Sequence, residues 1–124
     1  KNVIKMSQIL VDEFGGEVPN SRAALQSLPG VGRKTANVVL NMWWHQPAQA
    51  VDTHIFRFGN RSGVAVGKDV DAVERAIEDH IPADFQQHAH HWMILHGRYT
   101  CVARKPKCAA CLIRDLCLFE DKNL

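Results

Sequence analysis

Hydrophobic positions along the chain recur three and four residues apart, the spacing of α-helices that bury one face. The first such stretch covers positions 3–14 and ends at Gly15 and Gly16, since paired glycines stop helices. Five further stretches predict helices over about 21–28, 33–44, 52–58, 69–81 and 85–99. No stretch alternates as a strand would, so the predicted fold class is all-α.

Residues that favour helix ends support these bounds. The predicted N-caps are Asn20 or Ser21 for the second helix, Asp52 or Thr53 for the fourth, and Asp69 for the fifth. Pro47 is expected to end the third helix, and Pro82 with Asp84 to mark the start of the last. In the fifth helix, the predicted buried face consists of Val70, Val73, Ile77 and Ile81.

Composition limits the possible classes of protein. Of the 124 residues, 46% are hydrophobic, which suffices for a packed core and argues against disorder. No apolar run approaches the ~20 residues that cross a bilayer. The net charge of +2 does not by itself indicate a nucleic-acid partner, but the cations cluster locally, at Arg33–Lys34 and at Arg98, Arg104, Lys105 and Lys107. Because the chain begins at Lys1 within a helical stretch, it is expected to be a piece of a longer, intracellular protein.

The four cysteines lie in the last 24 residues, in the pattern Cys101-x6-Cys108-x2-Cys111-x5-Cys117. Thiolates select zinc or iron–sulfur clusters over hard cations. Structural zinc usually takes two short-spaced pairs, and only Cys108 and Cys111 form one here. The spacing therefore favours a four-iron cluster and leaves zinc open. Disulfides are disfavoured in a reducing compartment.

The segment Pro29-Gly30-Val31-Gly32 predicts a tight turn between the second and third helices. Bare amides at the start of the third helix, with the positive end of the helix dipole, can bind a phosphate oxygen. Contacts of this kind position a protein on DNA without reading its sequence. The alternative is a plain helical corner whose glycines serve geometry only.

Lys34 and Asp52 are the candidate catalytic pair. A lysine amine can form a Schiff base, and a carboxylate at a helix start can accept a proton or stabilise a cationic sugar. From the pattern alone, the simpler interpretation is favoured: Lys34 as a solvated surface lysine and Asp52 as a helix N-cap.

Three segments, 28–37, 51–57 and 91–101, together with the remaining cysteines, closely resemble the endonuclease III family. These are iron–sulfur base-excision glycosylases of the helix-hairpin-helix superfamily. The resemblance covers essentially all 124 residues in order, and its cysteine spacing is the one that the family uses for a [4Fe–4S] cluster.

The resemblance implies a role for each candidate residue. Lys34 matches the Schiff-base lysine, which attacks C1′ of the damaged nucleotide, and Asp52 matches the essential aspartate. A lysine at position 34 implies glycosylase plus β-elimination lyase activity on oxidised pyrimidines in duplex DNA. Gly30 and Gly32 match the hairpin that grips a phosphate, and His54 lies near a position that helps to fill the gap left by the flipped base. The other expected DNA-binding residues are Val31 and Arg33 in the turn, and Arg104, Lys105 and Lys107 in the cysteine loop. The implied cluster ligands are Cys101, Cys108, Cys111 and Cys117.

The resemblance also implies that a substantial upstream segment is absent. Residues 1–46 resemble the second half of the family's helical barrel domain, and residues 47–124 resemble most of its cluster domain. The damaged-base pocket would lie largely upstream. The isolated chain is therefore expected to be weakly active, and to expose apolar faces of its first and third helices to oligomerisation or to a complementing N-terminal segment.

Two other functions remain open at this point. One is a non-catalytic DNA-binding fragment that grips phosphates without excising a base. The other is a monofunctional mismatch glycosylase, against which Lys34 argues. The family resemblance implies a bacterial cytoplasmic or nucleoid location.

Overall fold

A computed structural model describes residues 1–46 and 48–124. All regular secondary structure in these residues is helical, which confirms the predicted all-α class. The α-helices are α1 (Asn2–Phe14), α2 (Arg22–Gln26), α3 (Arg33–Met42), α4 (Thr53–Ser62), α5 (Val70–His80) and α6 (Ala83–Tyr99), followed by a 3-10 turn at Cys108–Ala110. The chain divides into two compact units, Lys1–Ala50 and Val51–Leu124. Within the two described ranges, no helix is long and apolar enough to cross a membrane.

The first unit packs α1, α2 and α3 around a small apolar core. Its buried members are Leu25, Leu28, Ala36, Leu40 and Ala48, and α1 contributes partly buried side chains to it. Ser21 caps α2 by accepting a hydrogen bond from the Ala24 amide (3.1 Å), as predicted. The outer face of α1 stays apolar and open: Val3, Ile4 and Val11 are 67%, 75% and 63% exposed.

The third helix is two residues shorter than predicted. It ends at Met42, and Trp43 follows as its C-cap. His45 then adopts a φ of 55°, outside the right-handed region that an α-helix requires, so the chain turns away before position 46. The predicted stop at Pro47 lies outside the described residues.

The fourth helix continues to Ser62, so its predicted end near Phe58 is wrong. Gly59 lies inside the helix, where a Cβ atom would come 2.7 Å from the Ala65 carbonyl oxygen. The glycine therefore allows the chain after the helix to fold back against it. The helix ends instead at Gly63, whose φ of 86° is the left-handed conformation typical of a C-cap.

The second unit packs α4, α5 and α6 around a core that includes Ile55, Val73 and Ile77, all fully buried. Asp69 caps α5 as predicted, but Val70 is 48% exposed and does not belong to the buried face. Helix α6 begins at Ala83, two residues earlier than predicted. A Cβ atom at Gly97 would come 2.7 Å from the His54 carbonyl oxygen, so α6 approaches α4 closely at this glycine.

Candidate functional site

The turn between α2 and α3 takes the tight form that the glycines predict. The Val31 amide donates to the Leu28 carbonyl (3.1 Å), and Gly30 has a φ of 83°. Gly32 differs from Gly30, because its backbone is extended and it occupies the N-cap position of α3. A Cβ atom at Gly32 would have no heavy atom within 4 Å. The start of α3 is therefore open to solvent, as a phosphate site requires.

Lys34 and Arg33 lie exposed in the first turn of α3, directly after this glycine turn. The opposite face of the helix is buried and carries Ala36 and Leu40. A rigid helix thus holds the Lys34 backbone while its amine reaches solvent. A nucleophile that acts on a large substrate needs this combination.

Two buried asparagines on α3 were missed by sequence reasoning. Asn37 donates from Nδ2 to the Gln49 carbonyl (2.9 Å) and accepts at Oδ1 from Arg22 Nε (2.8 Å). Asn41 donates from Nδ2 to the Ala48 carbonyl (2.9 Å). The two amides fix the path of residues 48–50, which lead to Asp52. The only sequence signal was a pair of asparagines four residues apart on the buried face of a helix.

Asp52 is the N-cap of α4. Its Oδ1 accepts a hydrogen bond from the Ile55 amide at 2.9 Å, and the residue is half-buried. Asp52 therefore has the simpler of its two expected roles, that of a helix N-cap. This bond is compatible with the other expected role, as a catalytic carboxylate, because a carboxylate has a second oxygen. Lys34 belongs to the first compact unit and Asp52 to the second.

His54 is half-buried in the first turn of α4, where Arg57 contacts it. Arg57 Nη2 lies 3.3 Å from His54 Nδ1 and donates to the Gly97 carbonyl (2.6 Å), while Arg57 Nε donates to the Cys101 carbonyl (2.9 Å). This arginine links α4 to the end of α6 and to the first cysteine. No sequence pattern indicates a role for Arg57, since its carbonyl partners lie some 40 residues away in the chain.

The four cysteines line one pocket in the second unit, together with Phe58, His96, Ile113 and Phe119. All four are half-buried and free of disulfides. Among residues 1–46 and 48–124, no three His, Cys, Asp or Glu side chains are placed to hold a single ion. The four thiols of this pocket supply the donor set of a four-iron cluster, in which each iron takes its own thiolate.

His96 forms part of the wall of this pocket. Its Nε2 lies 3.6 Å from Cys111 Sγ, and its ring meets Phe58 edge-on with the centroids 4.8 Å apart. Burial lowers the pKa of His96 below its usual value of 6.5, because desolvation disfavours the imidazolium.

Arg104, Lys105 and Lys107 are exposed between the first two cysteines, as expected of residues that meet a phosphate backbone. Lys105 has a φ of 52°, an uncommon conformation for a residue other than glycine. Pro106 beside it is buried, and its carbonyl accepts from Asn123 Nδ2 (3.2 Å). The loop is therefore anchored at Pro106 and directs its cations outward.

The helical fold, the glycine turn before α3 and the four-cysteine loop together define an all-helical protein with a helix-hairpin-helix turn and an iron–sulfur loop. Residues 13–41 match the helix-hairpin-helix motif, and residues 101–117 match the iron–sulfur binding domain of endonuclease III. The second match begins and ends on the outermost cysteines.

Curated relatives resemble the chain over almost its whole length. Endonuclease III of Escherichia coli strain K12 is 57% identical over 122 residues, or 98% of this chain and 58% of that protein. Endonuclease III of Haemophilus influenzae is 54% identical over the same shares. The chain belongs to the endonuclease III family, and it spans somewhat more than half the length of these relatives. Its cofactor is the family's [4Fe–4S] cluster, which decides against zinc.

Solved structures agree in fold. A trapped covalent intermediate of endonuclease III with DNA has a TM-score of 0.83 at 44% identity, covering 94% of this chain and 55% of that one. A non-covalent endonuclease III–DNA complex scores 0.84 at 44% identity over the same shares. A thermostable thymine-DNA glycosylase scores 0.83 at 26% identity, again over the same shares.

Proposed function

We propose that this chain is the catalytic-lysine portion of a base-excision repair enzyme, a DNA glycosylase with AP lyase activity on oxidised pyrimidines in duplex DNA. The observation that carries the proposal is the position of Lys34, exposed in the first turn of α3 directly after the glycine turn. The likeness to a protein trapped in a covalent intermediate with DNA supports it, because such an adduct requires a nucleophile.

In the proposed reaction, the Lys34 amine attacks C1′ of a nucleotide that has left the base stack. The bond from C1′ to the base breaks as the bond to Nζ forms, and the base leaves with a proton. The sugar ring opens to an imine between Nζ and C1′, and loss of a C2′ proton then expels the 3′ phosphate. The nucleotide must be extruded first, since C1′ is shielded inside the duplex.

Asp52 is proposed to accept a proton from the Lys34 amine or to stabilise the electron-poor sugar. Its Oδ1 already caps α4, so the carboxylate has a fixed orientation. His54, two residues on, is proposed to help fill the gap that the extruded nucleotide leaves.

The DNA backbone is proposed to contact two separate surfaces of the chain. The turn at Gly30, Val31 and Gly32, with Arg33, binds one phosphate through amides at the open start of α3. Arg104, Lys105 and Lys107 meet the backbone from the cysteine loop. Cys101, Cys108, Cys111 and Cys117 are proposed as the cluster ligands, and the cluster when bound holds the loop in shape and takes no part in the bond changes.

The chain spans only 58% of the Escherichia coli relative, so activity is proposed for the protein that contains it. We assign residues 1–46 to the second half of a barrel domain and residues 47–124 to the cluster domain. The isolated chain is expected to be weakly active, and its open α1 face to pair with another copy or a complementing segment. The bacterial relatives support a cytoplasmic or nucleoid location.

Borohydride trapping on DNA with one abasic site tests the catalytic proposal. The containing protein should give a covalent adduct, and Lys34→Gln should abolish it while DNA binding persists. Lys68→Gln, which changes another lysine outside the proposed site, is the control and should trap normally. An adduct that survives Lys34→Gln would contradict the proposal.

A non-catalytic DNA-binding role is the second candidate. It is favoured by the hydrogen bond from the Ile55 amide to Asp52, since a plain N-cap would make the same bond. This role predicts salt-dependent binding that weakens when Lys105 or Lys107 is removed, and no adduct from any form of the protein.

A further inference from the structure

Arg61, in the last turn of α4, holds the chain that leaves the first cysteine. Its Nη1 donates to the Val102 carbonyl (2.8 Å) and its Nη2 donates to the Ala103 carbonyl (3.0 Å). These two carbonyls directly precede Arg104, the first of the exposed cations. One guanidinium group therefore fixes the position of the backbone directly before Arg104, where the basic part of the loop begins.

The same end of α4 also contacts the other end of the cysteine loop. The Arg61 carbonyl oxygen lies 3.8 Å from Cys117 Sγ, and its guanidinium stacks over the Phe119 ring, with Cζ 4.8 Å from the ring centre. The neighbouring Ser62 carbonyl accepts from the Leu118 amide (3.2 Å). Both ends of the loop are thus attached to the last turn of one helix.

The guanidinium also approaches a cluster-ligand candidate. Arg61 Nη1 lies 3.6 Å from Cys101 Sγ, within the distance for an N–H···S contact. Donors and positive charge beside a ligating sulfur stabilise the more reduced, more negative state of an iron–sulfur centre and raise its reduction potential.

From these contacts we infer that Arg61 is a positioning residue with two separable effects: it places the basic part of the cysteine loop for DNA binding, and it raises the cluster's reduction potential. The first effect rests on the proposed function, because it concerns the cations proposed to meet the phosphate backbone. The second does not depend on DNA.

The two effects separate because arginine and lysine differ in shape. The planar guanidinium presents a fork that spans the Val102 and Ala103 carbonyls together. An ammonium group carries the same charge but is a compact point donor and cannot take both carbonyls in that geometry. Arg61→Lys therefore keeps positive charge near Cys101 while losing the two-carbonyl anchor.

The experiment uses the cluster-loaded protein that contains this chain and compares Arg61→Lys and Arg61→Gln with the unchanged protein. Arg75→Gln is the control for loss of one arginine, since Arg75 is exposed on α5 and does not line the pocket of the four cysteines. The readouts are iron content, reduction potential without DNA, and affinity for DNA with an uncleavable abasic analogue at several salt concentrations.

We expect Arg61→Lys to load iron normally, to retain most of the potential, and to bind DNA roughly tenfold more weakly, with a salt slope shallower by about 1 for each phosphate that the loop no longer neutralises. Arg61→Gln should show the same loss of affinity and a lower potential. Arg75→Gln should match the unchanged protein in all three readouts.

Unchanged DNA affinity in Arg61→Lys would overturn the positioning role. An unchanged potential in an iron-loaded Arg61→Gln would overturn the role at the sulfur. If Arg61→Gln fails to load iron, Arg61→Lys decides both points, and a potential in Arg61→Lys well below that of Arg75→Gln would overturn the charge effect.

Trapping of abasic-site DNA by the unchanged protein is measured alongside, so that the two proposals can fail separately. Absence of an adduct contradicts the proposed reaction. Normal trapping together with unchanged DNA affinity in Arg61→Lys contradicts only the inference about Arg61.

Discussion

Asn37 offers a sharp test of how the first unit holds the segment that leads to Asp52. Replacing it with alanine removes the donor to the buried Gln49 carbonyl and the acceptor for Arg22 Nε. An unsatisfied buried carbonyl costs about 1–3 kcal/mol, and the lost bond to arginine about 0.5–1.5 kcal/mol. Alanine returns about 0.5 kcal/mol as a better helix former. The expected loss in the free energy of unfolding is therefore about 1–4 kcal/mol.

Urea denaturation followed by circular dichroism measures this loss as a shift in the transition midpoint. Gln8→Ala is the control, because it removes exposed hydrogen bonds to Asp12 on α1 and should change stability by no more than about 0.5 kcal/mol. Trapping of abasic DNA, measured at a temperature where both variants are folded, should slow in Asn37→Ala and not in Gln8→Ala.

A loss below about 0.5 kcal/mol in Asn37→Ala would refute the reasoning, because it would mean that water or a shifted backbone satisfies the Gln49 carbonyl at no cost. The whole expected loss in the free energy of unfolding, together with unchanged trapping, would support the energetic argument. It would remove the link from Asn37 to the reaction.

Three other predictions address the second unit. Gly63→Ala should destabilise the protein by about 1–2 kcal/mol in urea denaturation, because the left-handed backbone at φ 86° disfavours a side chain; unchanged stability would contradict this account of the helix end. Lys105→Gln should weaken DNA binding and reduce the salt slope by about 1 in fluorescence anisotropy titrations; an unchanged slope would show that Lys105 does not contact a phosphate. Cys108→Ser should lower iron content, melting temperature and DNA affinity before it alters the trapped fraction of bound DNA; full binding with lost lyase turnover would contradict a structural role for the cluster.

Helix starts were predictable because their determinants are local. Ser21, Asp52 and Asp69 each accept from an amide three residues ahead, and a short sequence window contains all of that information. The end of α4 was not predictable in this way. Gly59 resembles a stop signal, but its lack of a side chain serves the close approach of Ala65, which depends on the folded chain.

The same distinction separates the predicted site residues from the missed ones. The cysteine spacing and the glycine turn are short patterns with a direct chemical meaning, so both could be found in the sequence. Arg57, Arg61 and Asn37 act through carbonyl groups that other parts of the chain bring to them. Every residue has a backbone carbonyl, so the sequence does not indicate which carbonyl an arginine or asparagine side chain will bind.

The central claim is that the Lys34 amine is the nucleophile, and mapping of the covalent adduct tests it most directly. The containing protein is trapped with borohydride on abasic-site DNA, both chains are digested, and the modified peptide is sequenced by mass spectrometry. The sugar remnant is predicted on Lys34 Nζ. A remnant on another amine, such as Lys68 or the N-terminus, or no remnant at all, would contradict the claim.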